Sequence, residues 1–97
     1  MSDGTAQLAS EEVRIVNVKG LHARASAKFV NMVAMLPAEL SVSVHKDGTE
    51  AAGGSILGLM MLGAAKGDTI AISVSGEGAD SALAKLAGLV KDGFGED

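Results

Sequence analysis

The chain contains no cysteine, no tryptophan and no tyrosine. A disulfide framework and a thiolate zinc site are therefore excluded, and the lack of thiols fits a reducing cytoplasm. Phe29 and Phe94 are the only aromatic residues, so the core must be aliphatic, drawn from Val, Ile, Leu, Ala and five Met. No uninterrupted apolar run approaches the ~18 residues of a membrane span. Met1-Ser2-Asp3-Gly4-Thr5 has neither a basic n-region nor a long apolar h-region, so no signal peptide is expected. Positive charge is in deficit, because 8 basic and 12 acidic side chains leave a net charge of −4. Nucleic acid and anionic membrane are poor partners for such a surface.

What remains is a 97-residue chain, 47% hydrophobic, which is enough for one domain with a core. Residues 1–10 are small and polar and are expected to be a flexible tail, with a single domain over 11–97. Glu12–Val18 alternates as a first strand, with Val13 and Ile15 inward. Lys19-Gly20 breaks it. A helix is predicted from about Ala23 to Leu36, because Phe29, Val30, Val33 and Leu36 recur at spacings of three and four. Pro37 stops it. Leu40–His45 has the period of a strand, with Leu40, Val42 and Val44 on one face. Asp47-Gly48 signals a tight hairpin into a short third strand, Thr49–Ala52. Gly53-Gly54 is a break without the lysine or spacing of a phosphate-binding loop. Ser55 is an N-cap candidate for a short helix from Ile56 to about Leu62. Thr69–Ser75 alternates as a fourth strand, with Ile70, Ile72 and Val74 inward. Ala79, Leu83, Leu86, Ala87 and Val90 form the stripe of a last helix, Ala79–Val90. Lys91–Asp97 is read as a fraying acidic tail in which Phe94 can dock back.

The order is βαββαβα. Strands with one apolar and one polar face favour an antiparallel sheet with one solvated side. The fold class is therefore α+β, a two-layer open-faced sandwich with three helices covering one face of a four-stranded sheet.

The chemistry gathers in Gly20-Leu21-His22-Ala23-Arg24-Ala25-Ser26-Ala27. His22 stands where a helix begins, beside backbone N–H groups with no helical partner. Those donors and the helix dipole favour an anion there. Arg24 adds a donor fork suited to phosphate oxygens, at a position where the dipole disfavours a cation. A nucleophilic imidazole thus sits next to a small anion cradle. No general acid, carboxylate pair or Ser-His-Asp pattern accompanies it, which argues against a hydrolase. His45 lies on the polar side of a strand and is read as solvated. Neither a cofactor nor a metal is implied. In the short second helix, Leu59 and Leu62 face the core, so Ile56, Leu57 and Met60 stay partly exposed as a docking patch, for which methionine is well suited.

Gly20-Leu21-His22-Ala23-Arg24 resembles the active-site signature of the HPr family, the histidine-phosphorylatable carriers of the bacterial phosphotransferase system. Ser55–Gly63 followed by Lys66-Gly67-Asp68 is similar to the family's second signature, at the family's spacing. The resemblance covers roughly residues 11–94. It implies a phosphocarrier rather than an enzyme. His22 would accept a phosphoryl group on Nδ1 from a phosphoenolpyruvate-dependent Enzyme I type kinase and pass it to a histidine of a IIA-type protein. Arg24 would neutralise phosphoryl oxygens, and Ala23 and Ala27 would join Ile56, Leu57 and Met60 in docking. Ser55 matches a serine that an HPr serine kinase/phosphorylase modifies in some branches. A cytoplasmic monomer is implied. Gly48-Thr49-Glu50-Ala51 and Gly93–Asp97 are similar to the nitrogen-related NPr branch, and sugar transport and nitrogen regulation both stay open. Two residues depart from the pattern: Ala25 stands where the family usually has proline, and Gly54 where it has lysine or asparagine. The rival class is a partner-binding regulatory module in which His22 phosphorylation is not the main output.

Overall fold

Alternation in one strand sets the sheet. In β4, Thr69–Ser75, the side chains of Ile70, Ile72 and Val74 are buried while their neighbours are not. Burying each such side chain stabilises the fold by about 1.5–3 kcal/mol. The computed structural model describes residues 7–96. Within them β4 is central, in a four-stranded antiparallel sheet whose first strand, β1, is Leu8–Arg14 and whose order is β1-β4-β2-β3. Strand β2 is Ser41–Lys46 and β3 is Thr49–Ala52. The turn between them has positive φ at both Asp47 and Gly48, the geometry that matches strand twist in a hairpin.

The first strand needs correcting. β1 spans Leu8–Arg14 rather than Glu12–Val18, so residues 8–10 belong to the sheet and not to a tail. Residues 1–6 of the expected tail lie outside the described residues. The cause is the partner strand: β4 pairs from Leu8↔Ser75 to Arg14↔Thr69, and Ser10 adds a hydroxyl bond to Ser73 at 3.1 Å. Past Arg14 the chain peels away, and Ile15 exchanges bonds with Asp68 O and Gly67 N–H instead. Val13 and Ile15 are buried as expected, and so are Ala9 and Asn17 in the same alternation.

Helix α1, Ala23–Ala34, stops before Leu36. Met35 and Leu36 bond three residues back, to Met32 O and Val33 O, which tightens the last turn ahead of Pro37. Phe29 is buried, and Val30, Val33 and Leu36 pack partly buried against the core. Helix α2, Ile56–Met61, is capped by Ser55, whose hydroxyl accepts from Gly58 N–H at 2.9 Å. Helix α3, Ala79–Lys91, buries the expected stripe. α3 lies on β1 and β4, α1 on α3 and α2, and α2 on β3. All three helices cover the same face, and Ser41, Ser43, Ser73 and Ser75 line the other.

The expected fraying after α3 is also corrected. Gly93–Gly95 forms a 3-10 turn, and Phe94 is only 1% exposed. Lys28 Nζ donates to Phe94 O at 2.6 Å. The aromatic ring draws the segment onto the domain, and Gly93 and Gly95 supply the positive φ on either side of it. Asp97 lies outside the described residues.

Candidate functional site

Gly20 sets the approach to α1. Its φ is +63°, and a Cβ there would stand 2.3 Å from Ala64 O. Only glycine allows the loop to lie so close to the chain leaving α2. Leu21 N–H then donates to Ala64 O at 3.0 Å, which ties the His22 loop to the α2 segment.

His22 is the N-cap of α1, with extended backbone dihedrals. Its carbonyl accepts the first helical bond, from Ser26 N–H at 2.9 Å. Its side chain caps the helix as well, because Nδ1 accepts from Arg24 N–H at 3.3 Å. On the far side of the ring, Nε2 lies 2.6 Å from Glu96 Oε2. Burial alone would raise the Glu96 carboxyl. Hydrogen bonds from His22 and Asn17, with the charges of His22 and Lys28, outweigh it and hold the group below the ordinary carboxylate value. Nδ1 accepts from a backbone N–H and Nε2 faces a carboxylate oxygen, so the geometry fits a ring proton on Nε2 and a lone pair on Nδ1. The ring is 26% exposed, in a hollow lined by Val18, Lys19, Ala23, Arg24 and Glu96. With its proton on the far nitrogen, the imidazole can attack an electrophilic phosphorus through Nδ1, at the positive end of a helix.

Residues 9–92 match the family described as the PTS HPr component phosphorylation site. The chain belongs to the HPr family. It is 41% identical to the phosphocarrier protein HPr of Neisseria meningitidis serogroup A over 86 residues, 89% of this chain and 94% of the relative. It is 36% identical to the phosphocarrier protein NPr of Escherichia coli K12 over 87 residues, 90% of this chain and 96% of the relative. The solved HPr-C-His of Thermoanaerobacter tengcongensis superposes with a TM-score of 0.84 at 31% identity, covering 92% and 98% of the two chains. The βαββαβα sandwich is therefore the HPr fold. HPr proteins are phosphocarriers of the phosphotransferase system and not enzymes, and this chain has that role. Among the described residues, no helix is long and apolar enough to cross a membrane.

The residues singled out from the HPr-like signatures fall into two groups. His22, Ala23 and Arg24 share the hollow at the start of α1, with Ala23 and Arg24 exposed and Ala27 half-buried one turn on. No salt bridge holds the Arg24 guanidinium among the described residues. Ile56, Leu57 and Met60 are exposed on α2, with Met61 beside them, while Leu59 and Leu62 are buried as expected. Ser55 is half-buried at the N-cap of α2. His45 is half-buried rather than fully solvated, and Glu50 lies 3.5 Å away across the hairpin, a surface pair of little energetic weight.

Three residues at this site were not anticipated. Glu96 closes on His22. Asn17 Nδ2 donates both to Glu96 Oε1 at 3.1 Å and to Gly20 O at 2.8 Å. Lys28 holds the turn that carries Glu96. A signal existed for two of them. Asn17 continues the inward alternation of Val13 and Ile15, where a polar side chain needs a partner. A phenylalanine between two glycines marks a segment that docks, and Glu96 comes with it.

Proposed function

We propose that this HPr-family chain carries its phosphoryl group on Nδ1 of His22. It receives the group from a phosphoenolpyruvate-dependent Enzyme I type donor and delivers it to a histidine of a IIA-type acceptor. One observation supports this reading above the others: His22 caps α1 with Nδ1 turned to the helix N–H groups, and with Arg24 in the same hollow. In the forward step the Nδ1 lone pair forms a bond to phosphorus, and the bond from phosphorus to the donor breaks with its electron pair returning to the donor. In the second step an acceptor imidazole attacks the same phosphorus and the pair returns to Nδ1. Arg24 and the first-turn N–H groups offset charge on the phosphoryl oxygens.

The exposed face of α2, with Ile56, Leu57 and Met60, meets donor and acceptor in turn, together with Ala23 and Ala27. Both partners must bring phosphorus to one atom, so one surface serves both. Phosphorylation of Ser55 would place a dianion at the start of α2, beside that surface, and weaken docking of an acidic partner. The carrier works in the cytoplasm as a monomer. A solved Thermoanaerobacter tengcongensis relative described as an HPr dimer, with a TM-score of 0.70, makes sedimentation the check on that state.

Intact and peptide mass spectrometry after incubation with phosphoenolpyruvate and a matched Enzyme I tests the reading. The expected result is one acid-labile, alkali-stable phosphoryl group on His22, absent in His22→Ala. No label from a donor that is active on another carrier overturns it and favours a regulatory module.

A further inference from the structure

The two nitrogens of His22 are not equivalent. Nδ1 has one long contact, 3.3 Å from a backbone N–H. Nε2 is held at 2.6 Å by an anionic oxygen. That oxygen belongs to a residue fixed from three directions. Asn17 holds the second carboxylate oxygen, Lys28 holds the Phe94 carbonyl two residues before it, and Phe94 is buried. Glu96 is itself only 20% exposed. A loose terminal acid meeting a histidine by chance would not have this support.

We propose that Glu96 is a positioning residue that makes His22 regioselective: it occupies Nε2 and leaves Nδ1 as the only nitrogen open to phosphorus. This rests on His22 as the carrier residue, and it adds the reason for one nitrogen over the other. The proton account closes over a full cycle. When Nδ1 bonds to phosphorus, the proton stays on Nε2 and the ring becomes cationic. Glu96 is the anion facing that charge. When the phosphoryl group leaves, the electron pair returns to Nδ1 and the ring is neutral again, with the same proton on the same atom. No proton has to enter or leave the site, so neither partner needs to supply an acid or base. Lys19 and Arg24 line the other parts of the hollow and Lys28 faces Glu96, so among the described residues Glu96 is the one acid among the charged groups around the ring.

Potassium phosphoramidate tests this without any partner protein. It transfers its phosphoryl group to imidazole nitrogen, forming one P–N bond as its own breaks and ammonia leaves. Nuclear magnetic resonance then distinguishes the Nδ1 and Nε2 isomers of phosphohistidine. The wild type is expected to label at Nδ1, with the Nε2 isomer minor. Glu96→Ala removes a charge-assisted hydrogen bond and is expected to raise the Nε2 share about tenfold. Glu96→Gln, of unchanged size, guards against a loss of fold and is expected to fall between the two. The same isomer ratio in all three proteins, with native amide spectra, overturns the proposal. Labelling by Enzyme I is a separate result, so failure of the carrier reading and failure of this one are distinguishable.

Discussion

Replacing Phe94 by alanine tests whether the C-terminal turn is part of the domain. Phe94 is 1% exposed and contributes to the same core as Ile70, Ile72 and Leu86. Truncating a buried phenylalanine costs about 3–5 kcal/mol in lost transfer energy and cavity formation. Alanine gives no relief at a φ of 59°, because it keeps the Cβ that makes the left-handed region unfavourable. A domain of this class has a total stability of about 5–15 kcal/mol, so the loss is a large share. Urea unfolding followed by far-ultraviolet circular dichroism reads it. With a slope of about 1.5 kcal/mol per molar, the midpoint should fall by about 2–3 M. Phe94→Leu, which keeps most of the apolar volume, should cost less than about 1.5 kcal/mol. A Phe94→Ala midpoint within about 0.5 M of wild type would show that the ring does not anchor this turn, and the support under Glu96 would fall with it.

Two further outcomes follow from the same region. The Glu96 carboxyl is held below its ordinary value of 4.5, so its contribution is complete above that pH and is lost as the pH falls through the lower folded value. Amide shifts of Gly95 and Glu96 followed from pH 6 downward should therefore titrate with a midpoint below about 4.5, and a midpoint at or above that value would contradict the ion pair with His22. Gly20→Ala combines a positive φ with a Cβ 2.3 Å from a carbonyl oxygen, so the His22 loop must leave Ala64. A loss of about 2–4 kcal/mol by thermal or urea unfolding is expected, and a near-neutral result would show that this approach is not needed.

Much of the fold could be read because neighbouring signals agreed. β4 and β3 begin and end where alternation and turn residues place them, since Lys66-Gly67-Asp68 and Asp47-Gly48 leave the chain little choice. Ser55 was readable as a cap because a hydroxyl before an apolar run has an unpaired N–H within reach. The misplaced ends have tertiary causes. Ser10 looks like the end of a polar tail in isolation, yet it is on the solvent side of a strand whose length is set by β4. At the site, His22 and Arg24 were visible as a local motif at a helix start. Glu96, Asn17 and Lys28 were not, because their contacts join segments that nothing in the local pattern relates. Only the inward register of Asn17 and the lone ring of Phe94 hinted at them.

The bond between His22 and Glu96 spans 74 positions of the chain. During synthesis the histidine leaves the ribosome well before its carboxylate partner exists. At about 5–20 residues per second the interval is roughly 4–15 s. Throughout that time Nε2 lacks its carboxylate partner, and for the greater part of it β1 lacks the strand it will pair with. The nascent chain therefore displays its signature sequence without its selectivity. The site is complete only when β1, β4, α3 and the turn that carries Glu96 are all in place.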